Sequence, residues 1–143
     1  MIILQYGGNA VPYTKTSDKI SSYCKSIRKQ IEYLKKQAPG AVIVFIGPSD
    51  MSTTVAGKRQ TYPILPEYID SLKANVTASG AAYWDLYSVM GGKDSMVQWV
   101  KASPALAGPD YVHFTPKGSE HVGNIFADAL LLFYDYYKLR KHE

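Results

Sequence analysis

Ala41-Val42-Ile43-Val44-Phe45-Ile46, closed by Gly47-Pro48, is the stretch on which the fold of this 143-residue chain turns. Six apolar residues in a row, four of them β-branched, leave no side of the strand for water. The run therefore predicts a central strand covered on both faces. Such strands belong to parallel sheets, whose members are joined by long crossovers, usually helical.

The flanking segments supply the crossovers. Upstream, Ile20, Tyr23, Ile27, Ile31 and Leu34 recur at steps of three and four, with Lys and Arg between them, behind Ser17 or Asp18 as a cap and ahead of Pro39-Gly40 as a stop. Before that helix, residues 2–6 form a short apolar run ended by Gly7-Gly8, which predicts a second buried strand. Downstream of a polar loop rich in Ser and Thr, Leu65-Pro66 opens a helix with Tyr68, Ile69, Leu72 and Val76 on one side. Gly80 closes it, and residues 81–87 read as a third strand. A short helix over 95–102 and a loop over 104–109 follow. The last helix begins near Pro116, with Val122, Ile125, Phe126, Ala129, Leu132, Phe133 and Tyr136 as its apolar face. Alternating strands and helices with short connections predict an α/β fold, a parallel sheet covered by helices on both faces.

At 143 residues and 46% hydrophobic composition, the chain is long enough for one domain, 1–143, with a real core. The formal charge is +4, but the cations cluster at residues 25–36, 58–59 and 138–141, a pattern of solvated helix faces rather than of a nucleic-acid groove. One cysteine, Cys24, forms no internal disulfide and leaves the redox compartment open, and no Cys/His spacing resembles a zinc site. No apolar stretch is long enough to span a membrane.

In open α/β sheets ligands bind beyond the carboxyl ends of the strands. Three clusters fall there or lead into the last helix: Gly7-Gly8-Asn9-Ala10, Gly47-Pro48-Ser49-Asp50, and Pro109-Asp110-Tyr111-Val112-His113-Phe114-Thr115-Pro116-Lys117-Gly118. The third sets a carboxylate three residues before a histidine. A buried Asp that accepts from one ring nitrogen fixes the imidazole tautomer and leaves the other nitrogen as a general base toward a hydroxyl. Alone, Asp-x-x-His is also what a helix-capping Asp beside a surface His produces. Gly8 lets the backbone approach a ligand closely, and the Asn9 amide is a donor suited to a developing oxyanion. An ordinary strand-ending turn has the same composition. Ser49 reads as a turn or cap residue. His121 and His142 are weaker candidates, in a helix and in a charged tail, and Trp84 and Trp99 read as core or cleft-wall aromatics. Tyr111 and Phe114 flank Asp110 and His113.

Taken in order, Gly7-x-Asn9 after a strand, Phe45-Ile46-Gly47-Pro48, Trp84-Asp85-Leu86 leading to Gly91-Gly92, and Asp110-x-x-His113-Phe114-Thr115-x-x-Gly118 resemble the later blocks of the SGNH, or GDSL-type, serine esterases. The run from Trp84 to Gly118 is most similar to bacterial carbohydrate and peptidoglycan O-acetylesterases. The resemblance implies a three-layer α/β/α flavodoxin-like fold, lacking its first two strands here. It implies His113 as general base, Asp110 as its orienting partner, Asn9 with Gly8 at the oxyanion, no metal and no organic cofactor, and an acyl-enzyme formed on a serine. It also implies an O-acetylated glycan or another small ester as substrate, a bacterial parent protein in the periplasm or outside the cell, and neither a nucleic-acid partner nor a membrane span. The chain departs from the family in two places. Ala10 stands where the family has Asp, and no Gly-Asp-Ser occurs in the 143 residues. The reading that follows is half of an active site, with little or no activity in this chain alone. Its alternative is a non-catalytic module that binds a glycan or a partner. Without two preceding strands the strand at residues 2–6 is an edge, which invites dimerisation or strand exchange.

Overall fold

The computed structural model describes residues 1–140. The chain forms two compact units, one from Met1 to Met96 and one that begins at Val97. The first unit is built on a three-stranded parallel sheet, β1 (Ile2–Leu4), β2 (Ile43–Ile46) and β5 (Ala82–Trp84), in the order β1-β2-β5. The last four residues of the apolar run 41–46 are thus the middle strand and are all buried, whereas Val42 ahead of them is exposed. Register pairs Leu4 with Phe45 and Phe45 with Tyr83, so these three share one face. Phe45 is fully buried, with Tyr6 edge-on at 5.1 Å and Tyr83 stacked at 6.3 Å between ring centroids.

The crossovers are α1 (Ser17–Gln37) and α2 (Leu65–Ala78). Thr16, rather than Ser17 or Asp18, caps α1, its hydroxyl accepting from the Lys19 amide. Ile20, Cys24, Ile27 and Ile31 form the buried stripe of α1, and Leu65, Tyr68, Ile69, Leu72 and Val76 that of α2. The helices pack against one another, with Tyr23 and Tyr68 6.0 Å apart, as two crossovers stepping in the same direction along a sheet must lie. The Lys35 ammonium donates to the Ser79 and Gly80 carbonyls at the end of α2, where orphan acceptors and the helix dipole favour a cation.

The polar loop after β2 is a hairpin: β3 (Ser52–Val55) and β4 (Lys58–Thr61) pair antiparallel. Ala56 and Gly57 both take positive φ, 49° and 76°, the turn that matches the twist of a two-residue hairpin. The third strand ends at Trp84 rather than at residue 87. Asp85 ends it by capping the short helix α3 (Leu86–Val89), its carboxylate accepting from the Ser88 amide. Asp50, after β2, is fully buried. One carboxylate oxygen accepts from the Thr61 hydroxyl at 2.8 Å, the other from the Met96 amide at 2.8 Å and the Ser95 hydroxyl at 3.4 Å. It joins the hairpin to the start of α4 (Ser95–Lys101).

In the second unit a loop leads from α4 to α5 (Pro116–Arg140). Val122, Ile125, Phe126 and Ala129 are half-buried, whereas Leu132, Phe133 and Tyr136 are exposed along with the rest of residues 131–140. Periodicity marks the face a helix is able to bury; it does not supply the partner.

Tyr68 ties the core to the loop after β1: its buried hydroxyl donates to the Gly7 carbonyl at 2.8 Å. Tyr68→Phe removes that donor and leaves the Gly7 carbonyl with the Ala10 amide as its partner. Urea unfolding is expected to show a loss of about 1 kcal/mol with an unchanged m-value.

Candidate active site

The loop before α5 is held by its own backbone. The Gly108 amide donates to the His113 carbonyl at 2.8 Å and the Tyr111 amide to the Gly108 carbonyl at 3.0 Å, while Tyr111 sits in the left-handed region at φ 60°. This turn folds Asp110 back toward His113. One Asp110 oxygen accepts from the Val112 and His113 amides, at 3.0 and 3.1 Å, and the other lies 2.7 Å from His113 Nδ1. The ring contact, with the two amides, holds the Asp110 carboxyl well below the usual carboxylate range, at about 2. An anionic carboxylate on Nδ1 selects the tautomer that carries its proton there, so Nε2 is the basic nitrogen.

The two side chains are more open than the sequence pattern predicts. Asp110 is half-exposed at 51%, and His113 at 77% presents most of its ring to solvent. The tight turn accounts for this, since backbone amides, not burial, fix the carboxylate.

Thr115 and Gly118 anchor the other end of the loop. The Thr115 hydroxyl donates to the Ala105 carbonyl at 2.7 Å and accepts from the Gly118 amide at 3.1 Å, which makes it the cap of α5 ahead of Pro116. Thr followed by Pro was the available sequence signal for that role. At Gly118 a β-carbon would overlap the Leu106 carbonyl, and that carbonyl is fixed by the Thr115 amide at 3.1 Å. Gly118→Ala is therefore expected to displace the 105–115 loop. Amide exchange at Leu106, His113 and Thr115 should rise at least tenfold, whereas Gly123→Ala, where a β-carbon meets nothing, should leave it unchanged.

Phe114 and Trp99 lie 5.4 Å apart and Trp99 and His121 5.7 Å, so His121 is an aromatic neighbour in the second unit rather than a member of the Asp110–His113 pair. His142 falls outside the described residues.

Asn9 and Gly8 belong to the first unit, in a 3-10 turn over Gly8–Ala10. Gly7, at φ 103°, makes the reversal after β1 that a side chain would strain, and its β-carbon would also press on the Tyr68 hydroxyl. The Ala10 and Val11 amides donate to the Gly7 and Gly8 carbonyls, which leaves the Asn9 side chain exposed at the tip. Ser49 is half-buried, next to the structural Asp50. Of the residues that the sequence singles out, the structure joins Asp110 to His113 by a direct hydrogen bond. Among the described residues there is no grouping of His, Cys, Asp and Glu that would hold a metal, and no helix long and apolar enough to cross a membrane.

No protein-family model and no curated protein matches the chain by sequence. Its fold is similar to that of a solved peptidoglycan O-acetylesterase, with a TM-score of 0.77 and 25% identity over 92% of this chain. The chain spans 37% of the length of that protein. The mixed α/β architecture, with its parallel sheet and helices, is consistent with the flavodoxin-like fold of that esterase.

Proposed function

We propose that this chain carries the base-bearing part of an SGNH-type serine ester hydrolase that removes acetyl groups from a glycan. The observation that carries the reading is the 2.7 Å contact between Asp110 and His113 Nδ1 in a loop that presents the ring to solvent. Such a pair takes a proton from a serine hydroxyl as it attacks an acetyl carbonyl, then returns it to the departing sugar oxygen. Asn9 is the proposed side-chain donor to the oxyanion and Gly8 an approach point for substrate. Likeness to a peptidoglycan O-acetylesterase supports the reaction class and the choice of an O-acetylated glycan. The acylated serine is proposed to come from a segment outside these 143 residues.

The test is acetate release from O-acetylated peptidoglycan, and hydrolysis of p-nitrophenyl acetate, by a polypeptide that joins this chain to its gene's Gly-Asp-Ser segment. Turnover in the joined protein and none in the chain alone is the expected result. Full serine-esterase turnover by the chain alone would refute the placement of the nucleophile. A gene with no such segment favours the second reading, a non-catalytic glycan-binding module, for which Ala10 at the family's Asp position speaks.

A further inference from the structure

Both arms of the loop that carries Asp110 and His113 are fastened to one residue of α4, Trp99. Its carbonyl is among the last four of the helix, which have no partner within it. That carbonyl accepts from the Leu106 amide at 2.9 Å and the Ala107 amide at 3.3 Å, which ties down the outgoing arm. The returning arm is tied to the same point. The Thr115 amide donates to the Leu106 carbonyl at 3.1 Å, and Phe114 bridges antiparallel to the buried Ala107.

The side chain holds the loop a second time. The indole is 9% exposed, the Phe114 ring lies 5.4 Å from it at 41°, and the His121 ring of α5 meets it at 5.7 Å and 54°. Tilted rings at such distances attract one another. Where an arm pairs as a strand, consecutive side chains point to opposite sides. Seating Phe114 on the indole therefore turns His113 outward, and Phe114 is half-buried while His113 is 77% exposed. The Asp110 turn fixes the tautomer of His113 from within the loop. It does not fix how the loop stands on the helices, and the contact between Trp99 and Phe114 supplies that.

We propose that Trp99 is a positioning residue for the general base, acting through Phe114 to set the direction in which His113 presents Nε2 to the serine. The proposal rests on the esterase reading and deepens it. A base must come within hydrogen-bond reach of the proton it takes, and a misplacement of about 1 Å costs on the order of 10²-fold. A lost seat is thus expected to show in turnover rather than in substrate binding.

In the joined serine-bearing polypeptide, Trp99→Leu and Phe114→Leu should each lower kcat about 100-fold with KM close to the parent value. Trp99→Phe, which keeps a ring against Phe114, should stay within about tenfold of the parent. The double Leu variant should lose no more than either single one, because both remove the same contact, whereas independent effects would multiply to about 10⁴-fold. NMR of the 143-residue chain adds a readout that needs no activity. His113 should keep its proton on Nδ1 in every variant, while the residual dipolar couplings of the His113 and Phe114 amides, referred to those of α5, should change in both Leu variants and not in Trp99→Phe. Losses that multiply, turnover in Trp99→Leu within about threefold of the parent, or unchanged couplings would overturn the proposal. If Trp99→Leu does not fold, Phe114→Leu and Trp99→Phe carry the same comparison. A joined parent without turnover would overturn the esterase reading alone, and the couplings would still decide whether Trp99 orients the loop.

Discussion

Asp110→Asn, made in the joined serine-bearing polypeptide, is expected to lower ester turnover by about 10⁴-fold while leaving the fold in place. The asparagine side-chain oxygen still accepts from the Val112 and His113 amides, so the turn survives. Its NH₂ group now faces His113 Nδ1, where the carboxylate oxygen lies at 2.7 Å in the parent. A donor there makes Nδ1 the acceptor and moves the ring proton to Nε2, which removes the base from the side that needs it. The loss should fall on kcat, with KM close to the parent value, because the pair acts on the proton and not on the sugar. Ring nitrogen shifts of His113 in the 143-residue chain give a second readout that needs no nucleophile: protonated Nδ1 in the parent, protonated Nε2 in the variant. Turnover within tenfold of the parent, or the same tautomer in both, rules out the orienting role. The pH dependence has a fixed sign. Asp110 is depressed to about 2, so the loop is stabilised above the ordinary carboxylate value and loses that stabilisation as pH falls from about 4 toward 2. Because Asp110 is half-exposed, the effect should appear as local amide exchange in 105–115 and not as global unfolding.

How much of this was legible in the sequence follows from what each signal depends on. The uninterrupted apolar run at 41–46 and the three-and-four spacing from Ile20 to Leu34 are signals of burial, and the structure has a central strand at Ile43–Ile46, with Val42 exposed ahead of it, and an amphipathic helix. The hairpin at Ser52–Val55 and Lys58–Thr61 was hidden because its strands are polar and its turn is Ala56-Gly57, without the Asn or Asp that usually marks such a turn. The sequence carries the third strand three residues past its end at Trp84 because Leu86 and Tyr87 continue the apolar pattern, whereas Asp85 acts as a cap only once a helix follows it. In the candidate site, Asp-x-x-His was visible as spacing, but the open setting of the pair was not. It depends on the left-handed Tyr111 and on the backbone bonds of Gly108, neither of which has a compositional mark. Asp50 was equally opaque: it stands in the sequence only as the last residue of Gly47-Pro48-Ser49-Asp50, and its partners come from 11 to 46 residues away.

Asp50→Ala is expected to cost the first unit about 4 kcal/mol, which approaches the whole stability of many small domains. The carboxylate is fully buried and is the acceptor for the Thr61 hydroxyl, the Met96 amide and, at longer range, the Ser95 hydroxyl. Alanine leaves those donors without an acceptor in a site closed to water, and the loss of unmade bonds exceeds what the bonds themselves contribute. The damage should spread through a second link. The Thr61 amide donates to Asp94 and the Asp94 amide to the Thr61 hydroxyl, at 2.8 and 2.7 Å, so freeing Thr61 loosens the hairpin base and the residue before α4 together. Asp50→Asn keeps one acceptor oxygen and presents an NH₂ where the other stood, so it should be destabilising by a smaller amount. The pH dependence separates this carboxyl from Asp110. Burial pushes Asp50 above its ordinary value despite its hydrogen bonds to Met96 and Thr61. A raised folded-state value means that the native chain holds its proton longer than the unfolded one. The associated stability is complete below about pH 4 and is lost as pH rises through the raised value. Denaturant unfolding followed by the first unit's buried tyrosines should therefore show the gap between parent and Asp50→Asn narrowing as pH rises above about 4. A gap that widens over that range would show that the hydrogen bonds to Asp50 outweigh its burial, and an alanine variant within about 1 kcal/mol of the parent would show that Asp50 is not the buried acceptor on which the hairpin and α4 converge.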